Sequence, residues 1–168
     1  MRHTRKKSDH IPILISFVGS SGAGKTKLVV RLIKELTRRK LQVGAVKHSR
    51  AGFQLDYEGK DSARLKEAGA RTVLLAGQNS LTLITDHNGT LTPEDAAEKF
   101  FSGMDIVLVE GWKESALPKI LVRGAGAPPS NIENIIAEVG TVGAVPGVPL
   151  FLPDSVEKLA DFVLSFNQ

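Results

Sequence analysis

Ile13-Leu14-Ile15-Ser16-Phe17-Val18 is a nearly continuous apolar run, the mark of a parallel strand covered on both faces. Beyond it, Leu28, Val29, Leu32, Ile33 and Leu36 recur at helical spacing, with Lys27, Arg31, Lys34, Glu35 and Arg38 between them. Leu41-Gln42-Val43-Gly44-Ala45-Val46 then reads as a second strand, which makes a strand–helix–strand opening. Residues Lys47 to Gly59 form a polar loop holding His48, Arg50, Asp56 and Glu58. A helix is expected from Asp61 to about Ala68, with Gly69 as a left-handed stop.

Arg71 to Ala76 and Leu81 to Thr85 read as two strands of a hairpin joined by Gly77-Gln78-Asn79-Ser80. Asp86-His87-Asn88-Gly89 is a turn. Thr92-Pro93-Glu94-Asp95 is a helix entry with a hydroxyl cap, a proline at the first position and early acids, and the helix should run to about Phe101. Ile106-Val107-Leu108-Val109 is another buried-type strand, ending in Glu110-Gly111-Trp112-Lys113. Lys119 to Arg123, Asn134 to Val139 and Pro149 to Leu152 are further strands, the last an edge because proline removes a ladder donor. The final helix is expected to be capped by Asp154 with Glu157 three residues on, and its face is Val156, Leu159, Ala160, Val163 and Phe166. Strands alternating with helices predict an α/β fold: a mostly parallel sheet with some antiparallel strands, in a three-layer sandwich with helices on both sides.

At 168 residues the chain is long enough for a full core, and with no internal repeat or linker residues 11–168 read as a single domain. The net charge is +4, but Arg2, Arg5, Lys6 and Lys7 stand against only Asp9 in the first ten residues. The charge therefore belongs mostly to a flexible basic tail, residues 1–10, and the body is only slightly basic. Aromatic residues make up 5%, too few for a base-stacking platform, so nucleic acid is not an expected partner. There are no cysteines, which excludes disulfides and thiolate sites and suits a reducing cytoplasm. No apolar stretch approaches the roughly 18 residues of a membrane span, and no signal peptide is read ahead of the first strand.

The chemistry sits where the first strand hands over to the first helix. Gly19-Ser20-Ser21-Gly22-Ala23-Gly24-Lys25-Thr26 fits G-x-x-x-x-G-K-[ST], the P-loop pattern of nucleoside triphosphatases. Glycines let a phosphate approach the backbone, whose N–H groups form an anion nest reinforced by the positive end of the helix. Lys25 would reach the β- and γ-phosphates, the Thr26 hydroxyl would coordinate Mg²⁺, and Lys27 follows them as a further nucleotide-binding residue. In parallel sheets ligands sit beyond the carboxyl ends of the strands. Lys47 and His48 leave the second strand there, and Glu110 follows four apolar residues like the acid of a Walker B strand. Asp56 is a second candidate carboxylate, with ordinary solvation its commoner use, and Asp61 reads equally as helix cap or ligand. Trp112 reads as a core cap or as a stacking platform. Arg64 and Lys113 are available to neutralise phosphates or to line a solvated face. A water-positioning residue and an arginine finger, the parts that speed hydrolysis, are not identifiable, so slow turnover is expected.

Two further blocks extend the pattern. Phe53-Gln54-Leu55-Asp56-Tyr57-Glu58-Gly59-Lys60-Asp61-Ser62-Ala63-Arg64 with Glu67-Ala68-Gly69-Ala70, and Asp105-Ile106-Val107-Leu108-Val109-Glu110-Gly111-Trp112-Lys113 with Pro118-Lys119-Ile120, resemble in order and spacing the conserved blocks of the MobB family. These are molybdopterin-guanine dinucleotide biosynthesis adapter proteins. The resemblance implies a GTP-binding accessory protein, usually a homodimer, that assists a separate guanylyltransferase acting on molybdopterin, with weak intrinsic GTPase activity. It implies that residues 19–26 hold the triphosphate, with Thr26, Asp56 and Glu110 as Mg²⁺ ligands. Lys47, His48, Arg64, Trp112 and Lys113 remain for pterin or phosphate contacts. Trp112 stands where the family usually has Tyr or Phe, and Lys47-His48-Ser49-Arg50 where many members are His-rich. The chain has no N-K-x-D motif, and Ile135 to Thr141 lacks the Asp that many members carry, so the guanine preference comes from the resemblance and from no particular residue. A small-molecule kinase and a metallochaperone-type GTPase are the competing readings. The first lacks an Arg-rich lid, and the second lacks the Cys or His clusters it normally uses.

Overall fold

The structure is a computed structural model and describes residues 11–49, 61–87, 89, 91–127, 129–143 and 145–166. They form two compact units: one takes the chain up to His48 and again from Thr92, the other takes Ser49–Leu91.

In the first unit, Ile13–Val18 forms β1, with all six residues buried. Alternate residues of a strand point to opposite faces, so a run buried throughout needs cover on both sides. The cover comes from helices. Lys25–Arg38 is α1, and it buries Leu28, Val29, Leu32 and Leu36. These residues join Ile13, Ile15 and Phe17 in one core, together with Leu159, Ala160 and Val163 of the last helix, α4 (Val156–Leu164). On the other face Leu14, Val107 and Val109 pack with Ala97 of α3 (Pro93–Phe100) and with Leu117. The result is the three-layer arrangement expected from the sequence.

The second strand, β2, is Val43–Lys47, shifted toward its carboxyl end relative to the apolar pattern and including Lys47. Ile106–Glu110 is β5, Lys119–Val122 is β6, Ile135–Val139 is β7 and Leu150–Phe151 is β8. The sheet order is β2-β5-β1-β6-β7-β8, with every pair parallel. The short β8 is an edge, as its proline-led sequence predicts. Helix α3 opens on the expected cap, with the Thr92 hydroxyl accepting from the Asp95 N–H and the Asp95 carboxylate from the Thr92 N–H.

One cap differs from expectation. Helix α4 starts one residue later than the Asp154 reading requires, Ser155 is its N-cap, and no side chain caps it. The Asp154 carboxylate is instead engaged by Arg31 of α1, whose Nη1 donates to Asp154 Oδ1 at 2.8 Å and to the Pro153 carbonyl at 2.9 Å. The guanidinium adds a full opposite charge and ties α1 to the segment before α4, which a local N–H cannot do.

The second unit contains α2 (Asp61–Glu67) and an antiparallel hairpin of β3 (Thr72–Ala76) and β4 (Leu81–Thr85). Gly69 has φ +104, the left-handed stop the sequence predicts, and its N–H donates to the Lys66 carbonyl. Lys66 pairs with Asp86 at 2.8 Å, which fastens α2 to the end of β4. No helix among the described residues is long and apolar enough to cross a membrane.

Candidate functional site

The P-loop begins where β1 passes the end of β6. A Cβ at Gly19 would collide with the Val122 carbonyl oxygen, so only glycine allows that passage. Gly24 is the N-cap of α1 at φ +87, a conformation that L side chains rarely adopt. No side chain caps this helix and no acid lies in its first turn. Its leading N–H groups therefore keep their capacity for an outside anion, at the positive end of the helix dipole. Lys25 folds back over the loop, and its Nζ donates to the carbonyls of Gly19 at 3.0 Å and Ser20 at 2.7 Å. Partial burial lowers the Lys25 pKa; the Glu110 carboxylate opposes that shift and the Lys47 ammonium adds to it. An anionic ligand would relieve both costs, because it would replace lost solvation with opposite charge.

Glu110 closes the other side. It is the last residue of β5 rather than the residue after it, and it is only 6% exposed. Because β5 lies between β1 and β2, the register sets Glu110 beside both Phe17 and Lys47. The Thr26 hydroxyl lies 2.8 and 3.0 Å from the two carboxylate oxygens, and Lys47 Nζ forms an ion pair with Oε1. Hydroxyl and carboxylate are the hard oxygen donors that Mg²⁺ prefers, and that ion ordinarily takes its remaining ligands from phosphate and water. The pair fits such an ion. Among the described residues no three of His, Asp and Glu group into a metal cluster.

The segment after β5 is tied down from several sides. The Gly111 N–H donates to the Phe17 carbonyl at 3.1 Å, and the buried Ser16 hydroxyl donates to the Gly111 carbonyl at 2.6 Å. Trp112, at φ +55, stacks on the His48 ring with centroids 4.8 Å apart and planes 5° from parallel, and it also packs against the second core. The core-capping reading of this tryptophan is therefore met, and its described ring partner is His48. Lys119 is fully buried on β6 and donates to the Ser115 carbonyl at 2.5 Å and the Leu117 carbonyl at 3.1 Å. Burial lowers its pKa, against the opposing charges of Glu133 and Glu114.

The structure therefore brings together Lys25, Thr26, Lys47 and Glu110, and separately His48 and Trp112. Lys27 is exposed on α1, and Lys113 is exposed with its amine 3.8 Å from Glu114. Arg64 and Asp61 are exposed on α2 in the second unit. Asp56 lies outside the described residues.

Two buried charges were not singled out in the sequence. Glu138 on β7 is 1% exposed, pairs with Arg123 through its Nε at 2.6 Å, and accepts the Val145 N–H at 3.0 Å. Lys119 is the other. The available signal was a charge inside or at the start of an apolar strand, since such groups are buried only when partnered.

Comparison with known proteins places the chain among relatives. Residues 14–140 match the family model described as molybdopterin guanine dinucleotide synthesis protein B, MobB. A molybdopterin-guanine dinucleotide biosynthesis adapter protein of Haemophilus influenzae is 41% identical over 117 residues, 69% of this chain and 65% of that protein. The chain thus spans just under two thirds of that relative's length. The protein of the same name from Escherichia coli is 33% identical over 171 residues, covering 92% of this chain and 93% of its own length. Among solved structures, the crystal structure of Bacillus subtilis MobB superposes with a TM-score of 0.72 at 26% identity, covering 90% of this chain and 96% of that one.

Proposed function

The chain belongs to the MobB family, and from that membership we propose that it is a GTP-binding adapter in the biosynthesis of molybdopterin guanine dinucleotide. In this reading it assists a separate guanylyltransferase acting on molybdopterin, works as a homodimer in the cytoplasm, and hydrolyses GTP slowly. Residues 11–168 act as one nucleotide-binding domain, with 1–10 as a basic tail.

The observation that carries the reading is the convergence of Lys25, Thr26 and Glu110 around an uncapped helix start. Residues 19–27 would hold the triphosphate: backbone N–H groups of the loop and of the first turn of α1 donate to its oxygens, and Lys25 exchanges its two carbonyl partners for phosphate. Thr26 and Glu110 would hold Mg²⁺, with Asp56 as a further ligand, and the ion when bound neutralises charge on the β- and γ-phosphates. Lys47 now balances the Glu110 carboxylate, and an arriving cation would release its ammonium toward the phosphates or the pterin. His48, Arg64, Trp112 and Lys113 are the remaining candidates for pterin or phosphate contacts. The stacked His48–Trp112 pair is the aromatic group available to a planar ring near the site.

The contacts in hand support slow hydrolysis. Among the described residues the cations paired or bonded around Thr26 and Glu110 are Lys25 and Lys47. The missing transition-state charge is worth about 10³–10⁵ in rate in related chemistry. Calorimetric titration with Mg-GTP and Mg-ATP tests the proposal. GTP should bind in preference to ATP, Lys25→Ala should weaken GTP about 10–100-fold, as loss of a charge-assisted phosphate contact does, and the isolated protein should release little phosphate. Equal binding of both nucleotides, or GTP binding indifferent to Lys25, would refute it.

A further inference from the structure

A cleft of about 140 Å³ opens directly beside the P-loop, lined by Ala23, Gly24, Lys27 and Leu28, by Val122 and Arg123 at the end of β6, and by Pro153 and Asp154. Its place in the topology is informative. The connection from β1 leads to β2 on one side of the sheet, whereas that from β6 leads to β7 on the other. Neighbouring strands whose connections diverge leave a crevice at their carboxyl ends, where α/β proteins seat their ligands. The cleft is on the β6 side of the P-loop, and Glu110 and Lys47 are on the β5 side. A nucleotide whose metal-facing phosphates lie toward Glu110 therefore has the cleft at its other end. A cleft of this size takes the edge of a flat ring system rather than the whole of it; Leu28, Val122 and Val139 supply an apolar wall beside Lys27, Arg31 and Arg123. The larger depression, about 500 Å³, lies between α1 and the start of α4, is open to solvent, and is walled by Arg31, Glu35, Arg38 and Asp154, which already pair with one another.

We propose that the cleft beside the P-loop seats the base of the nucleotide and that the Asp154 carboxylate is the group that selects guanine. The inference rests on the GTP-binding reading above and supplies the specificity residue that the sequence lacks. Asp154 stands at the rim of the cleft, 93% exposed, and its only described partner is Arg31 through Oδ1. It does not cap α4, so its carboxylate has no structural duty inside the helix. Guanine presents two parallel donors, N1–H and the exocyclic N2–H, which match the two oxygens of a carboxylate. Adenine presents a ring-nitrogen lone pair at the same edge, which a carboxylate repels. Arg31 occupies Oδ1 until a base arrives, and its second bond, to the Pro153 carbonyl, keeps the segment before α4 in place. Arg123, anchored by Glu138, lines the same cleft with a fixed positive charge.

The test is calorimetric titration of the full chain, as wild type and as Asp154→Asn, with the Mg²⁺ complexes of GTP, ATP and XTP, and with tripolyphosphate. An asparagine accepts from N1–H and donates to the second carbonyl of xanthine, whereas it meets the N2–H₂ of guanine with a donor. The variant should bind GTP about 10–100-fold more weakly, the worth of a charge-assisted pair, and should gain affinity for XTP by at least about 10-fold. Asp154→Ala should lose GTP without gaining XTP. Tripolyphosphate reports on the P-loop and the fold of each variant without involving a base. Undiminished GTP binding by Asp154→Asn, with wild type binding GTP in a Lys25-dependent way, would overturn the base site and leave the adapter reading standing. No Lys25-dependent GTP binding by wild type would overturn both.

Discussion

Strands β5 and β3 are written in nearly the same alphabet, Ile-Val-Leu-Val-Glu and Thr-Val-Leu-Leu-Ala, yet their fates differ. Every residue of β5 is buried, whereas of β3 only Val73 is. Leu74 is 57% exposed and, across the hairpin, Leu81 is 70% exposed. An apolar run thus states a demand for cover without supplying it. In the sheet the demand is met by α1 and α4 on one face and α3 on the other. The β3–β4 ribbon is a two-stranded sheet whose leucines have no such layers among the described residues, and a ribbon of that size is marginal alone. A cluster of exposed leucines is apolar surface of the kind that marks an interaction site, which accords with the homodimer proposed above.

The contrast can be tested from its strong end. Leu108→Ala, in the fully buried middle of β5, should cost about 2–5 kcal/mol in urea unfolding; a loss under about 1 kcal/mol would mean that the sheet's core is not the source of stability. A smaller effect concerns the covering layer. Glu35 of α1 accepts from Arg38 and Arg39, which hold its pKa down at about 2, and Arg39 also reaches Asp161 of α4 at 2.6 Å. Because the folded pKa is below the unfolded value of about 4.3, the stabilisation is complete above pH 5 and is lost as pH falls toward 2. Glu35→Gln should therefore lower stability at neutral pH and flatten the acid limb of a stability–pH curve. An acid limb identical to wild type would assign acid sensitivity elsewhere. The smallest effect belongs to the hairpin, where Leu81→Ser should change the stability of the monomer by no more than about 0.5 kcal/mol. If the loss is larger and grows with protein concentration, a second copy covers that leucine, and the contrast between sheet and hairpin closes in the dimer.

Much of the chain was legible because its signals are local. The six-residue apolar run placed β1 at its observed bounds, and the glycine-rich turn with the periodic residues behind it placed a helix where α1 stands. The Thr92 entry worked for the same reason, since a capping box is closed by groups three residues apart. The Asp154 cap failed because a partner 123 residues away competes for its carboxylate. Glu110, Thr26 and Lys47 were expected to meet beyond the strand ends, but the direct Thr26–Glu110 hydrogen bond and the Lys47–Glu110 ion pair were not read, since nothing in these segments states which strands will be immediate neighbours.

The amino-acid sequence by itself determined the backbone of the phosphate-binding turn, the helix it opens, the periodic faces that need burial, and the family to which three ordered blocks point. These depend on torsional preferences and on contacts within a few residues. Only the tertiary structure decided that β5 enters between β1 and β2, that Lys119 and Glu138 are buried with partners, and that Asp154 stands at the mouth of a cleft. Lateral strand order and the pairing of distant charges are set by how whole faces pack, and that energy is shared among residues far apart in the chain.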